Sequence, residues 1–236
     1  MTLLNFTIFF TLAAALASAL VLVPLARFIP LRMIKEWRET MIDNGHQPGS
    51  ALVETDFTFP LTDKIGICVV GGLLGLMVAS IYGPMADAVA IGVYLLGVLL
   101  LVAINLKHQL LPDQIVLTLL WLGLLRVVGT DHLADHVLGA AVGYAGPLFA
   151  LHLLKLATRS QFLGYGDYKA LAMAGAWFGA AKLPLIFIAF IGAVILMMAV
   201  EAMLKRRGMM GTGSAHLAAS LACVLVDSSS LDWIRQ

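Results

Sequence analysis

Charged residues are scarce in this 236-residue chain: Asp, Glu, Lys and Arg make up only 12% of it, whereas 61% is hydrophobic. A soluble domain of this length would carry about a quarter charged residues, mostly on its surface. The mean hydropathy is +0.94, and the apolar residues fall in runs of about 15–23 residues, which suit helices that cross a bilayer. The composition therefore excludes an ordinary soluble domain and predicts a polytopic membrane protein.

Cysteine is nearly absent as well. The two cysteines, Cys68 and Cys223, both lie inside apolar runs, so they predict neither a disulfide framework nor a thiolate metal site. The chain also lacks a basic residue before its first apolar run, Leu4 to Ala26. This run is longer than the core of a signal peptide, so we expect a retained first helix.

The apolar runs predict an all-α fold: a polytopic transmembrane helical bundle of seven to eight helices, with one cytoplasmic loop that contains an amphipathic helix. No internal repeat is convincing. The predicted spans are 4–26, 65–82, 86–106, 114–128, 135–157, 168–181 and 183–204, with a weaker eighth at 210–227.

Three segments follow from this pattern: a first transmembrane helix at 1–26, a cytoplasmic loop with an amphipathic helix at 27–64, and a transmembrane bundle with a short C-terminal tail at 65–236. The loop begins "RFIPLRMIKEWRE", which is typical of a short amphipathic helix on a membrane surface. In "GGLLG" at 71–75 and "GAAVG" at 139–143, small residues four apart favour close helix packing. "GTGS" at 211–214 lacks the spacing of a phosphate loop and is interpreted as a linker.

The placement of the basic residues predicts the orientation. Twelve of the 15 Lys and Arg residues fall in segments 27–64, 105–113, 155–169 and 205–209. Cytoplasmic loops of membrane proteins are enriched in Lys and Arg. We therefore expect the N-terminus to face the outside and these four segments to face the cytoplasm.

Two polar segments interrupt the apolar pattern, and the predicted topology puts both at the cytoplasmic face. The first is "AINLKHQLLPDQIVL", where one helix ends near Asn105 and Pro112-Asp113 begins the next. The second is "GYGDYK", which contains Asp167. An acid at a helix start is commonly a cap or a partner of the helix dipole, and we interpret Asp113 first as such a cap.

Two features favour a functional role for Asp167 over simple capping. Gly164 and Gly166 would allow a bent backbone and the close approach of another chain segment. The helix that follows is short, which favours a thinned bilayer or a wet cavity where an ionisable group can work. Lys169, two residues further on, is interpreted as an interfacial lysine that reaches toward water, or alternatively as a charge that tunes the site.

"GYGD" followed by Tyr-Lys-Ala, together with the upstream "LLPDQIVLTLLWLGLL", resembles the type IV prepilin peptidases, which are GxGD aspartic proteases of the bacterial inner membrane. The resemblance covers essentially the whole chain. It implies that Asp167 is one catalytic aspartate. The second family aspartate falls at Asn105, where an amide stands in place of the acid; Pro112, Asp113, Gly164, Gly166 and Lys169 have supporting places.

Asn105 bears directly on the mechanism that the resemblance implies. Aspartic proteolysis needs two carboxylates that share one proton, and asparagine can neither accept nor deliver it. The chain as written should therefore bind substrate and cleave it poorly or not at all. Three explanations stay open: Asn105 was introduced to silence the enzyme, which we favour; the chain is a naturally altered homologue; or Asp113 is the true partner of Asp167.

The cytoplasmic loop departs from the resemblance in a second way. Many family members carry two CxxC pairs there, a spacing suited to zinc, whereas this loop has no cysteine and one histidine, His46. We therefore predict no metal and no zinc. Proteolysis needs no cofactor; the resemblance admits N-methylation of the new N-terminus with S-adenosylmethionine, which the missing cysteines leave open.

The resemblance implies a prepilin or pseudopilin substrate, held in the lipid bilayer and cut at the cytoplasmic face of the inner membrane; no nucleic acid partner is expected. Because the leader of such a substrate is basic, we expect the acidic Glu36 and Glu39 to contact it. Two other classes stay open. A non-catalytic scaffold of a pilus or secretion assembly would suit Asn105, and a small transporter would also hold polar groups in a helical bundle.

Overall fold

The computed structural model describes residues 3–44, 58–158, 164–204 and 211–231. Within these ranges the chain folds into eight helices and shows no strand. We number them α1 (Leu3–Asp43), α2 (Leu61–Tyr82), α3 (Ala86–His108), α4 (Asp113–Arg126), α5 (Leu133–Thr158), α6 (Tyr165–Phe178), α7 (Leu183–Met203) and α8 (Gly213–Leu231).

The prediction of an all-α polytopic helical bundle is confirmed. Each predicted span coincides with one helix, and the weaker eighth span is the well-defined α8. Four helical stretches are long and apolar enough to cross a membrane: Leu3–Asp43, Leu61–Tyr82, Ala86–His108 and Ala180–Met203. α4 and α6 have only 14 residues each, about 21 Å at 1.5 Å per residue, so they fall short of a full hydrocarbon core of about 30 Å.

The first helix extends further than the sequence suggested. The amphipathic stretch from residue 27 onward continues the first span, so that Leu3–Asp43 forms one helix of 41 residues. A π-helical stretch, Ser18–Leu22, and the internal Pro30 lie within it without ending it. The segment predicted to lie separately on the membrane surface is therefore the second half of a long helix. Most of the predicted loop, residues 45–57, lies outside the described residues.

The chain divides into two compact units, Met1–Ile104 and Asn105–Gln236. In the first unit α1 packs against α2 through small residues. A Cβ on Gly71 would overlap the Ser18 side chain, and one on Gly75 would lie 2.5 Å from the Ala14 Cβ. The close packing predicted for "GGLLG" is confirmed, because only glycine lets these two backbones come so near.

The second unit has α6 at its centre, in contact with α4, α5, α7 and α8. α5 and α6 meet backbone to backbone, since a Cβ on Gly175 would overlap the Gly139 carbonyl and one on Gly143 would lie 2.8 Å from Leu171 O. The packing role predicted for "GAAVG" is thereby confirmed. A buried apolar cluster joins α6, α7 and α8: Leu171, Ala174, Leu183, Ile186, Phe190, Ala215, Ala219 and Cys223.

The C-terminal end of α6 is held by side chains of its neighbours. The His136 ring on α5 donates through Nδ1 to Ala176 O at 2.8 Å, and Arg126 on α4 donates to Trp177 O at 3.4 Å. The Trp177 indole in turn donates to Leu119 O at 2.7 Å. The last carbonyls of a helix lack intrahelical donors, so these contacts fix where α6 ends and hence where its other end begins.

Candidate functional site

Asp167 lies in the first turn of α6 and is only 4% exposed. Its Oδ2 accepts a hydrogen bond from the Gly164 N–H at 2.9 Å, which ties the carboxylate to the residue that precedes the helix. Its Oδ1 lies 3.2 Å from Nε2 of His216 on α8, and that ring is 3% exposed. The Thr212 hydroxyl also interacts with this carboxylate. A buried carboxylate with donors on both oxygens is stable only because these partners replace water.

Asn105, in the last turn of α3, is equally buried at 3% exposure. Its Oδ1 accepts from the Gly213 N–H at 2.7 Å, and its Nδ2 donates to Leu110 O at 3.3 Å. The amide thus acts as a cap for the start of α8 from another helix. Its backbone carbonyl accepts from the N–H of Gln109 (φ 54°), the left-handed residue that ends α3.

The two positions predicted from the sequence therefore converge on one short segment. Asn105 bonds Gly213, and Asp167 contacts Thr212 and His216, all within the first turns of α8 or just before them. The interpretation of "GTGS" as a linker is wrong, because Gly213 and Ser214 open α8. Gly211 fits tightly, since a Cβ there would lie 2.8 Å from Asn105 O and would overlap its carboxamide.

The glycines around Tyr165 have different uses. A Cβ on Gly166 would lie 3.0 Å from the Leu111 Cβ, so Gly166 allows the start of α6 to approach the turn before α4. Gly164 has ordinary extended dihedrals, φ −86° and ψ 165°, and a Cβ there would have room. The predicted close approach holds for Gly166, whereas Gly164 contributes its N–H to Asp167.

Asp113 does not cap its helix. The N-cap of α4 is Pro112, with no side-chain capping bond, and Asp113 is the first helical residue. Its Oδ2 instead accepts from Lys169 Nζ at 2.6 Å. The interpretation of Asp113 as a cap is therefore wrong, and Lys169 makes an ion pair between the starts of α4 and α6.

His216 was missed by sequence reasoning. It stands alone in the apolar run "SAHLAASLACVLV", where neither spacing nor a neighbouring motif marks it. The one available signal was a histidine inside a predicted membrane span, which is by default a functional residue or the partner of one.

Two further predicted residues, Glu36 and Glu39, belong to the first unit. Glu36 and Glu39 are exposed on α1 and form i,i+4 pairs with Arg32 at 2.8 Å and Lys35 at 3.9 Å. His46 falls outside the described residues. Among the residues that the structure does describe, no group of three or more His, Cys, Asp or Glu is arranged to hold a metal ion. The absence of zinc stays a prediction, because most of the loop in question is not described.

A polytopic helical bundle with a buried carboxylate at the start of a short helix is the class of protein that the fold and the site define. Residues 91–197 match the model of the Type IV leader peptidase family. The matched segment contains Asn105, Asp113 and Asp167.

Several curated relatives are similar to part of the chain. A prepilin leader peptidase/N-methyltransferase of Stutzerimonas stutzeri is 43% identical over 128 residues, covering 52% of this chain and 44% of the relative. The proteins of the same name from Pectobacterium carotovorum subsp. carotovorum and Escherichia coli (strain K12) are 37% and 44% identical over 142 and 109 residues, covering 58% and 44% of this chain. In both cases 48% of the relative is covered.

The chain thus spans about half the length of the curated relatives that it matches. No solved structure matches the chain.

Proposed function

We propose that this chain is a prepilin leader peptidase of the aspartic, GxGD type. It would bind a prepilin or pseudopilin whose apolar helix lies in the bilayer, and would cut off the short basic leader at the cytoplasmic face of the bacterial inner membrane. Asp167 is the catalytic carboxylate of this proposal. Asn105 occupies the place of the second acid, so we expect cleavage by the unmodified chain to be slow.

One observation carries the proposal: Asp167 is a buried ionisable group at the start of a helix too short to cross the hydrocarbon core. Ionisable groups are costly inside membranes and are kept where they do chemistry. The names of the curated relatives supply the reaction class, cleavage of a prepilin leader. The bias of Lys and Arg supports an outward-facing N-terminus and a cytoplasmic site.

In this mechanism Asp167 takes a proton from water as the water oxygen attacks the scissile carbonyl carbon. The carbonyl π pair moves onto its oxygen, and the C–N bond breaks as the proton passes to the leaving nitrogen. The Gly164 N–H fixes one carboxylate oxygen in place, which orients the other toward its partners. Asn105 can donate a hydrogen bond, but in the described structure its Nδ2 donates to Leu110 O.

The relatives' names also include N-methyltransferase. Methylation of the new N-terminus would use S-adenosylmethionine as the methyl donor. The cavity described in the first unit, about 180 Å³, is lined by apolar side chains of α1, α2 and α3 and does not offer the polar groups that this charged cofactor needs.

A second candidate, binding without cleavage, is favoured by one observation. Both polar atoms of the Asn105 side chain are already bonded, to Gly213 and Leu110, as expected for a structural residue. On this hypothesis the chain would recognise a pilin for a pilus or secretion assembly.

The test is cleavage of a prepilin peptide by purified protein in nanodiscs. We compare the unmodified chain with Asn105→Asp, Asp167→Asn and Asp113→Ala. We expect Asn105→Asp to raise kcat by about 10²-fold or more, as general acid–base catalysis contributes about 10²–10⁴, and Asp167→Asn to abolish cleavage. If all variants bind and none cuts, the binding-only candidate is right. If the unmodified chain cuts at full rate and Asp113→Ala stops it, the assignment of Asn105 is wrong.

A further inference from the structure

His216 is a buried imidazole whose described side-chain hydrogen-bond partner is Asp167. The centroids of the His216 and Phe190 rings lie 4.6 Å apart, and the two ring planes are tilted by 34°. His216 is 3% exposed. Phe190 and the adjacent Ala215 belong to the apolar cluster that joins α6, α7 and α8. Burying a polar ring in such surroundings is unfavourable unless it is hydrogen-bonded. The contact from Nε2 to Asp167 Oδ1 at 3.2 Å supplies that bond.

Asn105 cannot take the place of this partner. Its Oδ1 is bonded to the Gly213 N–H and its Nδ2 to Leu110 O. An amide also has no proton to exchange near neutral pH. The titratable side chain in hydrogen-bond contact with Asp167 is therefore an imidazole, and imidazole is the side chain whose proton equilibrium lies nearest neutrality.

We infer that His216 shares a proton with Asp167 and so controls the protonation state of that carboxylate in this chain. This inference rests on the proposed hydrolytic function. Because His216 acts through Asp167, it is a positioning residue. In the resting state the pair holds one proton, shared between His216 Nε2 and Asp167 Oδ1. Asp167 accepts a second proton from the attacking water and passes it to the amine nitrogen as the C–N bond breaks. One water and one peptide bond give one carboxyl and one amino group, so the pair ends with the protons that it began with.

Other ionisable side chains on the helices packed against α8 are few. α6 carries Tyr165 and Tyr168 beside Asp167, and its Lys169 is paired with Asp113. α7 has Glu201 in its last turn, and Lys182 precedes its first. Of these side chains, Tyr168 is the residue next to Asp167 in the chain, and a tyrosine hydroxyl is neutral near pH 7. The proton thus has Asp167 and His216 as its two sites.

The first test reads the proton directly, without cleavage. Protein labelled with ¹⁵N in its histidine rings is studied by NMR in nanodiscs, and the His216 signals are assigned by their loss in His216→Gln. We expect the ¹⁵N signals of the His216 ring to report a different protonation state in Asp167→Asn at the same pH, because the neighbouring negative charge is lost. His132→Gln, at an exposed histidine, is the matched control. Unchanged His216 ring signals in Asp167→Asn would overturn the inference.

The second test uses cleavage. Gln keeps an N–H donor but cannot titrate, so it separates proton sharing from hydrogen bonding alone. In the unmodified chain we expect His216→Gln to lower kcat at least tenfold, to leave KM nearly unchanged and to remove one limb of the pH–rate profile. In the Asn105→Asp background the loss should be several-fold smaller, since a second carboxylate is present, and the two changes should be non-additive.

An unchanged pH–rate profile in His216→Gln also overturns the inference, whatever the absolute value of kcat. If no variant cleaves the peptide while the His216 ring signals respond to Asp167→Asn, the proposed protease function fails and the shared proton stands. If Asn105→Asp cleaves rapidly while the ring signals do not respond, the protease function stands and the role of His216 fails. The two proposals are thus tested separately.

Discussion

Lys169 Nζ donates to Asp113 Oδ2 at 2.6 Å and so joins the first turn of α6 to the first residue of α4. The two residues are 56 positions apart in the chain. Lys169 is two residues from Asp167, yet its charge is directed to Asp113. The ion pair fixes the start of the short helix that carries the buried carboxylate.

We expect Lys169→Met to lower stability only slightly. The side chains are 29% and 52% exposed, and such partly exposed pairs contribute about 0.2–1 kcal/mol. Cleavage by Asn105→Asp should fall more clearly, by several-fold, because the start of α6 becomes less well placed. The measurement is kcat together with unfolding in mixed micelles. The exchanged pair Lys169→Asp with Asp113→Lys should recover most of the loss; no recovery would mean that each residue acts independently.

The contact between Gly139 and Gly175 predicts a severe effect of one methyl group. A Cβ on Gly175 would overlap the Gly139 carbonyl, which is backbone and cannot move aside. We expect Gly175→Ala to separate α5 from α6 and to destabilise the protein by about 2–4 kcal/mol. This is at or above the usual cost of adding a methyl group to a packed core, because the atom that it meets belongs to the backbone. Thermal unfolding in detergent measures it.

Gly146→Ala on α5 is the matched control. The nearest atoms to a Cβ there are 3.9 Å and 4.0 Å away, and alanine has the higher helix propensity. This variant should be neutral or slightly stabilising. Equal melting temperatures for the two variants would contradict the close approach of α5 and α6.

The His136 ring predicts a smaller effect at the other end of α6. Removing it in His136→Ala leaves the Ala176 carbonyl without its donor at 2.8 Å, which should cost about 1 kcal/mol. The exposed His132, in the same loop region, gives the control variant His132→Ala. Unfolding in mixed micelles should separate the two variants, and identical stabilities would show that the bond contributes nothing.

The two exposed acids of α1, Glu36 and Glu39, predict a change in substrate binding. We expect the double reversal Glu36→Lys with Glu39→Lys to raise the KM for a basic leader peptide several-fold and to leave kcat nearly unchanged, because like charges then face the leader. Their present partners, Arg32 and Lys35, form exposed pairs that exchange at little cost.

Asp131→Lys is the control, since this exposed acid lies between α4 and α5, on the opposite face in the proposed orientation. If both variants change KM equally, the effect reflects net charge alone. An unchanged KM in the double reversal removes Glu36 and Glu39 from the proposal.

Local patterns predicted most of the fold. Helix positions followed from the length of the apolar runs, and the close packing at Gly71, Gly75 and Gly139 followed from small residues four apart. Composition could not show that the first span and the amphipathic stretch form one continuous helix. Hydropathy falls after residue 26, but a fall in hydropathy does not break a helix, and backbone hydrogen bonding continues to Asp43.

The site was only partly predictable for a related reason. Asp167 and Asn105 are marked by local motifs, whereas His216 is brought to Asp167 by the packing of α8 on α6 and α7. The partner of Asp113 was also hidden, because its ion pair with Lys169 depends on how α4 and α6 are placed in space. Contacts between distant parts of the chain leave no periodic signal in either segment.

The length of α1 has a consequence for recognition. Its 41 residues rise about 62 Å, roughly twice the hydrocarbon thickness of about 30 Å. Glu36 and Glu39 thus lie on the far part of a long helical arm, where both side chains are exposed. Attraction between them and a basic peptide fades over a Debye length of about 8 Å at physiological ionic strength. Capture of a leader by this arm would therefore weaken as salt is added, whereas the buried contact between Asp167 and His216 would be shielded from the same ions.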